Sequence, residues 1–119
     1  MKTILIVEDD KANLKLFSEL VSSNGYRVIE AGNGIEAVEM AKSEEPDLVL
    51  MDIQLPGMDG ITALKKIQEI PRQKVIPFIA LTGYAMKGDI ERFLSQGFAA
   101  HISKPINIPE FLETIKKYV

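Results

Sequence analysis

Four places in this sequence carry side chains able to do chemistry together. Glu8-Asp9-Asp10 follows the apolar run 4–7, Asp52 follows 48–51, Thr82 follows 78–81, and Lys104-Pro105 follows 99–102. That is three or four carboxylates, one hydroxyl and one ammonium, each just beyond a short hydrophobic segment. Carboxylates brought close repel one another and do not ionise together cheaply, so a cation is expected among them. Oxygen donors of this kind suit Mg²⁺, which keeps several waters and takes phosphate oxygens as further ligands. A carboxylate held beside such an ion is a nucleophile for phosphorus, and the product is an acyl phosphate. Asp52 is the residue placed for that role. Lys104 and the ion would supply positive charge to the transferring group, and Thr82 a hydroxyl donor.

Taken singly, each residue has an ordinary structural role. Asp10 is read as a helix cap and first-turn charge rather than a ligand. An Asp after a strand commonly makes a turn, a Thr is a common strand former, and a lone Lys is commonly solvated. The chemical reading rests on all four strand ends carrying these residues at once.

The elements that must position them follow from the spacing of apolar residues. Runs at 4–7, 27–30, 48–51, 78–81 and 99–102 predict five strands. The first, third and fourth are nearly continuous, as expected for parallel strands covered on both faces. The second is flanked by charge and suits a sheet edge. Stripes at helical spacing fill the gaps: Leu14, Phe17, Leu20 and Val21; Ile35, Val38 and Ala41; Ile61, Leu64 and Ile67; Ile90, Phe93 and Leu94; and Ile108, Phe111, Leu112, Ile115 and Val119. Stops are predicted at Asn24-Gly25, Pro46 and Gly97, and starts at Asp59 and at Asn107 with Glu110 in a capping box. The order is (βα)5, a three-layer α/β sandwich of the flavodoxin-like kind. In the strand order 2-1-3-4-5 the first and third strands are neighbours. Glu8, Asp9 and Asp52 then converge at the carboxyl edge of the sheet, where ligands bind in such folds.

At 119 residues the chain is expected to be one domain, 1–119, large enough for its own core. It has no cysteine, which excludes disulfides, thiolate metal sites and thiol catalysis. A net charge of −3 with only scattered lysine pairs argues against a nucleic-acid surface. No apolar run reaches the ~20 residues of a membrane span, and the opening segment is too short for a signal peptide. A cytoplasmic protein with no membrane insertion is expected.

Four segments bear a family resemblance: Ile4-Leu5-Ile6-Val7-Glu8-Asp9, then Asp47-Leu48-Val49-Leu50-Met51-Asp52-Ile53-Gln54-Leu55-Pro56-Gly57-Met58-Asp59-Gly60, then Ile79-Ala80-Leu81-Thr82, and Ser103-Lys104-Pro105. Over essentially its whole length the chain resembles the response regulator receiver domain of two-component systems. The resemblance implies Asp52 as phosphoacceptor and Mg²⁺ as cofactor. Asp9, Asp52 and the Gln54 backbone carbonyl would be direct ligands, with Glu8 acting largely through water. It implies Thr82 and Lys104 on the phosphoryl group and a cis peptide before Pro105. The family commonly has an aromatic switch residue three places before the lysine. This chain has His101 there, which puts the usual switch in question and makes Tyr84, near Thr82, a candidate to share that role. Gln54 and Tyr84 also flank the path of an attacking water in this family, and a bulky Tyr84 predicts slow loss of the phosphoryl group.

The resemblance further implies a histidine kinase or histidine phosphotransfer protein as donor. No output domain follows the fifth helix, so output is expected through protein contacts of the fourth helix, fifth strand and fifth helix. The chain resembles single-domain regulators of the chemotaxis and cell-cycle kind. The stretches Tyr84-Ala85-Met86-Lys87-Gly88-Asp89 and Phe111-Leu112-Glu113-Thr114-Ile115 resemble the cell-cycle kind. Such a protein catalyses only its own phosphorylation and dephosphorylation. A phosphate sink, a relay intermediate and a receiver excised from a hybrid kinase are alternatives. A phosphatase with an aspartyl-phosphate intermediate would need an acid where Gln54 stands. A flavin module would have its phosphate repelled by Glu8-Asp9-Asp10.

Overall fold

The computed structural model describes residues 1–71, 74–83 and 86–119. Five strands, β1 (Thr3–Val7), β2 (Arg27–Ala31), β3 (Leu48–Asp52), β4 (Phe78–Thr82) and β5 (Ala100–Ser103), alternate with five helices, α1 (Lys11–Ser23), α2 (Gly34–Glu44), α3 (Gly60–Gln68), α4 (Lys87–Gln96) and α5 (Ile108–Tyr118). All strand pairs are parallel, and the sheet order is β2-β1-β3-β4-β5, the flavodoxin-like order.

Period-two alternation divides the core into two layers. Leu5, Val7, Val49, Met51, Phe78 and Ala80 pack with Ala37, Ala41, Ala63, Leu64, Ile67 and Phe93, the inner faces of α2, α3 and α4. Ile4, Ile6, Leu48, Leu50, Ile79 and Leu81 pack with Phe17, Val21, Phe111 and Ile115 of α1 and α5. Strands β1, β3 and β4 are buried along their whole length, because helices cover both their faces. Strand β2 has one open edge and is partly exposed, as its charged flanks suggest.

Most strand limits differ from the expected ones by one residue, and this matters for the site. Asp52 and Thr82 do not follow β3 and β4; they are the last residues within them, paired in the ladder with Leu81 and Ser103. Both side chains are therefore aimed by the sheet. Asp52 continues the parity of Leu48 and Leu50. Thr82 continues that of Phe78 and Ala80, toward the α3–α4 layer.

Three stripe residues face solvent. Ile35 is 61% exposed; α2 is instead buried through Gly34, Ala37 and Ala41. These small residues let it lie close to its neighbours, and a Cβ on Gly34 would fall 2.9 Å from the Met58 side chain. Leu94 and Ile108 are likewise exposed, while Phe93, Phe111 and Ile115 carry α4 and α5 into the core. The predicted stops are real: Gly25 and Gly97 have φ of 88° and 121°, values open to glycine without strain. Asp59 and Asn107 cap α3 and α5, accepting from Thr62 N–H at 2.8 Å and Glu110 N–H at 3.0 Å.

Candidate functional site

Asp52, a residue 5% exposed, ends β3 at the carboxyl edge of the sheet. Its two carboxylate oxygens have different partners. Oδ1 accepts from the Gln54 N–H at 2.9 Å, and Oδ2 accepts from Lys104 Nζ at 2.9 Å. The loop after β3 is folded to permit this. Gly57, at φ 79°, turns it, and the Gly60 N–H returns to the Ile53 carbonyl at 3.1 Å. Gly60 opens α3 directly against the Asp52 backbone, so close that a Cβ would lie 2.7 Å from the Asp52 carbonyl oxygen. The sequence pair Asp59-Gly60 thus has two separate jobs, a helix cap and a close approach.

Glu8 lies immediately beyond β1, held by its N–H to the Ala31 carbonyl at 3.0 Å, and is 1% exposed. Asp9 is exposed. Carboxylate oxygens of Glu8, Asp9 and Asp52 all lie within 4.8 Å of one another. Asp10 is turned elsewhere and caps α1, accepting from the Asn13 N–H at 3.0 Å. The ordinary reading of Asp10 is the one the structure shows.

Lys104 reaches across from the end of β5, where its N–H binds the Thr82 carbonyl at 2.7 Å, and the following Pro105 is joined by a cis peptide. Its ammonium sits 2.7 Å from Glu8 Oε2 and 2.9 Å from Asp52 Oδ2. Sequence reasoning assigns this lysine to the phosphoryl group and does not foresee its bridge between two buried acids. Burial pulls the Lys104 ammonium toward neutrality, but its bonds to Asp52 and Glu8 outweigh this and hold its pKa above the usual lysine value. Burial raises the Glu8 carboxyl, and the charge of Asp52 adds to this, against the lowering contact of Lys104. Three carboxylates facing one ammonium leave the cluster anionic. Its donors are all hard oxygens, two of the three acids are buried, and one (Asp9) is open to solvent. That set fits a hydrated divalent cation.

Thr82 is 4% exposed, and its Oγ1 has no hydrogen-bond partner among the described residues. A buried hydroxyl without a partner costs stability, so it is expected where a ligand supplies the partner. His101 is half-buried on β5 opposite Ala80. It lines a cavity of about 310 Å³ with Ser103, Pro105, Asn107, Glu110 and Thr114, and Glu8, Asp9 and Asp52 take no part in that lining. Tyr84 lies outside the described residues. The structure thus gathers Glu8, Asp9, Asp52, the Gln54 backbone and Lys104 into one contact network, with Thr82 in the neighbouring strand and His101 apart.

The family model of the response regulator receiver domain matches residues 4–116. This chain belongs to the response regulator receiver domain family. Among curated relatives, the polar-differentiation response regulators DivK of Brucella anthropi and Brucella ovis are 48% and 47% identical over 118 residues, covering 99% of this chain and 96% of each relative. Among solved structures, the receiver domain of the sensor histidine kinase PA1611 from Pseudomonas aeruginosa PAO1 superposes with a TM-score of 0.88 at 34% identity, over 98% of this chain and 96% of that one. It carries a magnesium ion coordinated in its active-site cleft. The chemotaxis protein CheY4 of Vibrio cholerae, at 24% identity and a TM-score of 0.93 over 100% and 99% of the two chains, shares the fold. The strand-end acids and the lysine that the sequence singles out meet at this edge of the sheet, with Thr82 at the end of the adjacent strand. The Gly60 approach and the Glu8–Lys104 contact were not foreseen, though the former leaves a trace in the Asp-Gly pair.

Proposed function

We propose that this chain is a phosphoacceptor response regulator that receives a phosphoryl group on Asp52 from a phosphohistidine protein, in a Mg²⁺-dependent transfer. One observation carries the reading: a buried Asp52 carboxylate, held at both oxygens, with Glu8 and Asp9 in reach of a single ion beside it. Asp9, Asp52 and the Gln54 carbonyl would hold the ion, with Glu8 acting through water. The ion, when bound, supplies positive charge to the transferring oxygens.

An oxygen of Asp52 attacks phosphorus in line with the leaving nitrogen of the donor histidine. The P–N bond breaks, the imidazole leaves with its electron pair, and a mixed anhydride forms on Asp52. The Gln54 N–H and Lys104 fix the carboxylate so that little reorganisation is needed. Lys104, freed from Asp52 Oδ2, then contacts a phosphoryl oxygen, and the Thr82 hydroxyl gains the partner it lacks. Water attack on the anhydride reverses the modification, so the protein acts catalytically only upon itself.

The donor is a histidine kinase or histidine phosphotransfer protein, and output passes through protein contacts of the α4-β5-α5 face, where Thr82 and His101 would report the modification. The DivK relatives support a single-domain regulator of this kind. Among the described residues no helix is long and apolar enough to cross a membrane. Incubation with a small phosphodonor and Mg²⁺, followed by intact mass measurement, tests the assignment. A gain of one phosphoryl group, absent in Asp52→Asn and absent with a chelator, is expected. An equal gain in Asp52→Asn would overturn it.

A further inference from the structure

On the α4 side of Thr82 lies a second cavity, of about 190 Å³, lined by Ile53, Gln54, Thr82, Gly83, Asp89, Arg92 and Phe93. It shares Thr82 and Gln54 with the phosphoryl site and joins them to helix α4. Thr82 faces this way by strand parity, and its buried hydroxyl is unpartnered. The charged groups on the far wall are Asp89 and Arg92. Asp89 is already engaged: its carboxylate accepts from the Met86 N–H at 3.1 Å, closing the first turn of α4. Arg92 is not so engaged. Among the described residues no ion pair holds its guanidinium, which rests 6.0 Å from the centre of the Phe93 ring. That is the outer limit of a cation–π contact, between neighbours in sequence that do not face each other on a helix. The contact is therefore weak and easily given up.

We propose that Arg92 is a phosphoryl-recognising residue, entering the cavity beside Thr82 when Asp52 is phosphorylated and supplying a second cation from α4. The proposal rests on the reading of Asp52 as phosphoacceptor. Phosphorylation adds negative charge next to this cavity, and a guanidinium presents donors in the planar fork that matches phosphate oxygens. The cavity has room for that group, and the resting contact on Phe93 is too weak to oppose the move. Helix α4 would then sense the modification through its own side chain as well as through Thr82.

Beryllofluoride, which binds a carboxylate oxygen with the shape and charge of a phosphoryl group, is the probe. Its affinity for the whole protein in saturating Mg²⁺ is measured by fluorine NMR, with α4 followed by backbone amide shifts. In Arg92→Gln, affinity is expected to fall about 5- to 10-fold and the α4 shifts on binding to shrink. Mg²⁺ affinity and Tm are expected to stay as in the unchanged protein, and Arg92→Lys to recover part of the loss. Unchanged beryllofluoride affinity and unchanged α4 shifts in Arg92→Gln overturn the proposal. If the unchanged protein binds no beryllofluoride, or Asp52→Asn binds it equally well, the phosphoacceptor reading fails and this proposal with it.

Discussion

At Thr82 the proposed function and stability make opposite demands on a single atom. Its hydroxyl is buried and unpartnered, and valine has nearly the same shape without the hydroxyl. Thr82→Val is expected to leave the free protein as stable or about 1 kcal/mol more stable in urea unfolding. Under the proposed function, the same change should slow phosphorylation of Asp52 about tenfold or more, because the hydroxyl proposed to donate to the transferring oxygens is gone. A marked loss of stability would mean the hydroxyl has a structural partner. Asp47 has the opposite character. Its side chain bonds Lys74 and accepts the Thr3 N–H at 2.8 Å, tying the start of β1 to the entry of β3. The bond to Lys74 first, and that to Thr3 second, hold its carboxyl below the ordinary 3.8. A depressed carboxyl contributes stability that is complete above the ordinary value and lost as pH falls through the folded one. Acid unfolding should therefore be shallower in Asp47→Asn, with a cost of about 1 kcal/mol at neutral pH that vanishes below the folded pKa.

At the scale of elements, the site depends on where strands stop and how closely α3 begins. Gly60→Ala places a Cβ against backbone that cannot move aside without shifting Asp52. Thermal unfolding should show a loss of about 2 kcal/mol, and Mg²⁺ binding should weaken with it. A variant as stable as the parent, with unchanged Mg²⁺ affinity, would show that the approach is not constrained. Legibility varied element by element for physical reasons. Strands β1, β3 and β4 are apolar on both faces, so their runs stand out in the sequence. Helix α2 does not: it packs through Gly34, Ala37 and Ala41, whose small size is the packing signal, while the more hydrophobic Ile35 faces water. Strand ends moved by one residue because Asp52 and Thr82 are polar yet buried, and hydrophobicity cannot mark a strand that ends in its own functional residue.

For the molecule as a whole, topology converts distant residues into one cluster. Glu8 and Lys104 are 96 positions apart, yet Nζ lies 2.7 Å from Oε2, because β1 and β5 present their carboxyl ends at one edge. The alternation of strands and helices was enough to anticipate that edge, and the flavodoxin-like strand order the meeting of Glu8, Asp9 and Asp52. The state of Lys104 in the absence of ligand was not legible, since it depends on which acid is buried and how deeply. Arg92 was not legible either: it belongs to no motif, and only the cavity beside Thr82 sets it apart. Locally, three acids stand against one ammonium, an excess of negative charge that suits a cation.

The measurement closest to that claim is a Mg²⁺ titration followed by backbone amide shifts. Saturable shifts are expected at Asp9, Asp52 and Gln54, with affinity reduced at least tenfold in Asp9→Asn, as removal of one charged ligand requires. Amides that do not move at these three residues, or an affinity equal in Asp9→Asn, would contradict the account.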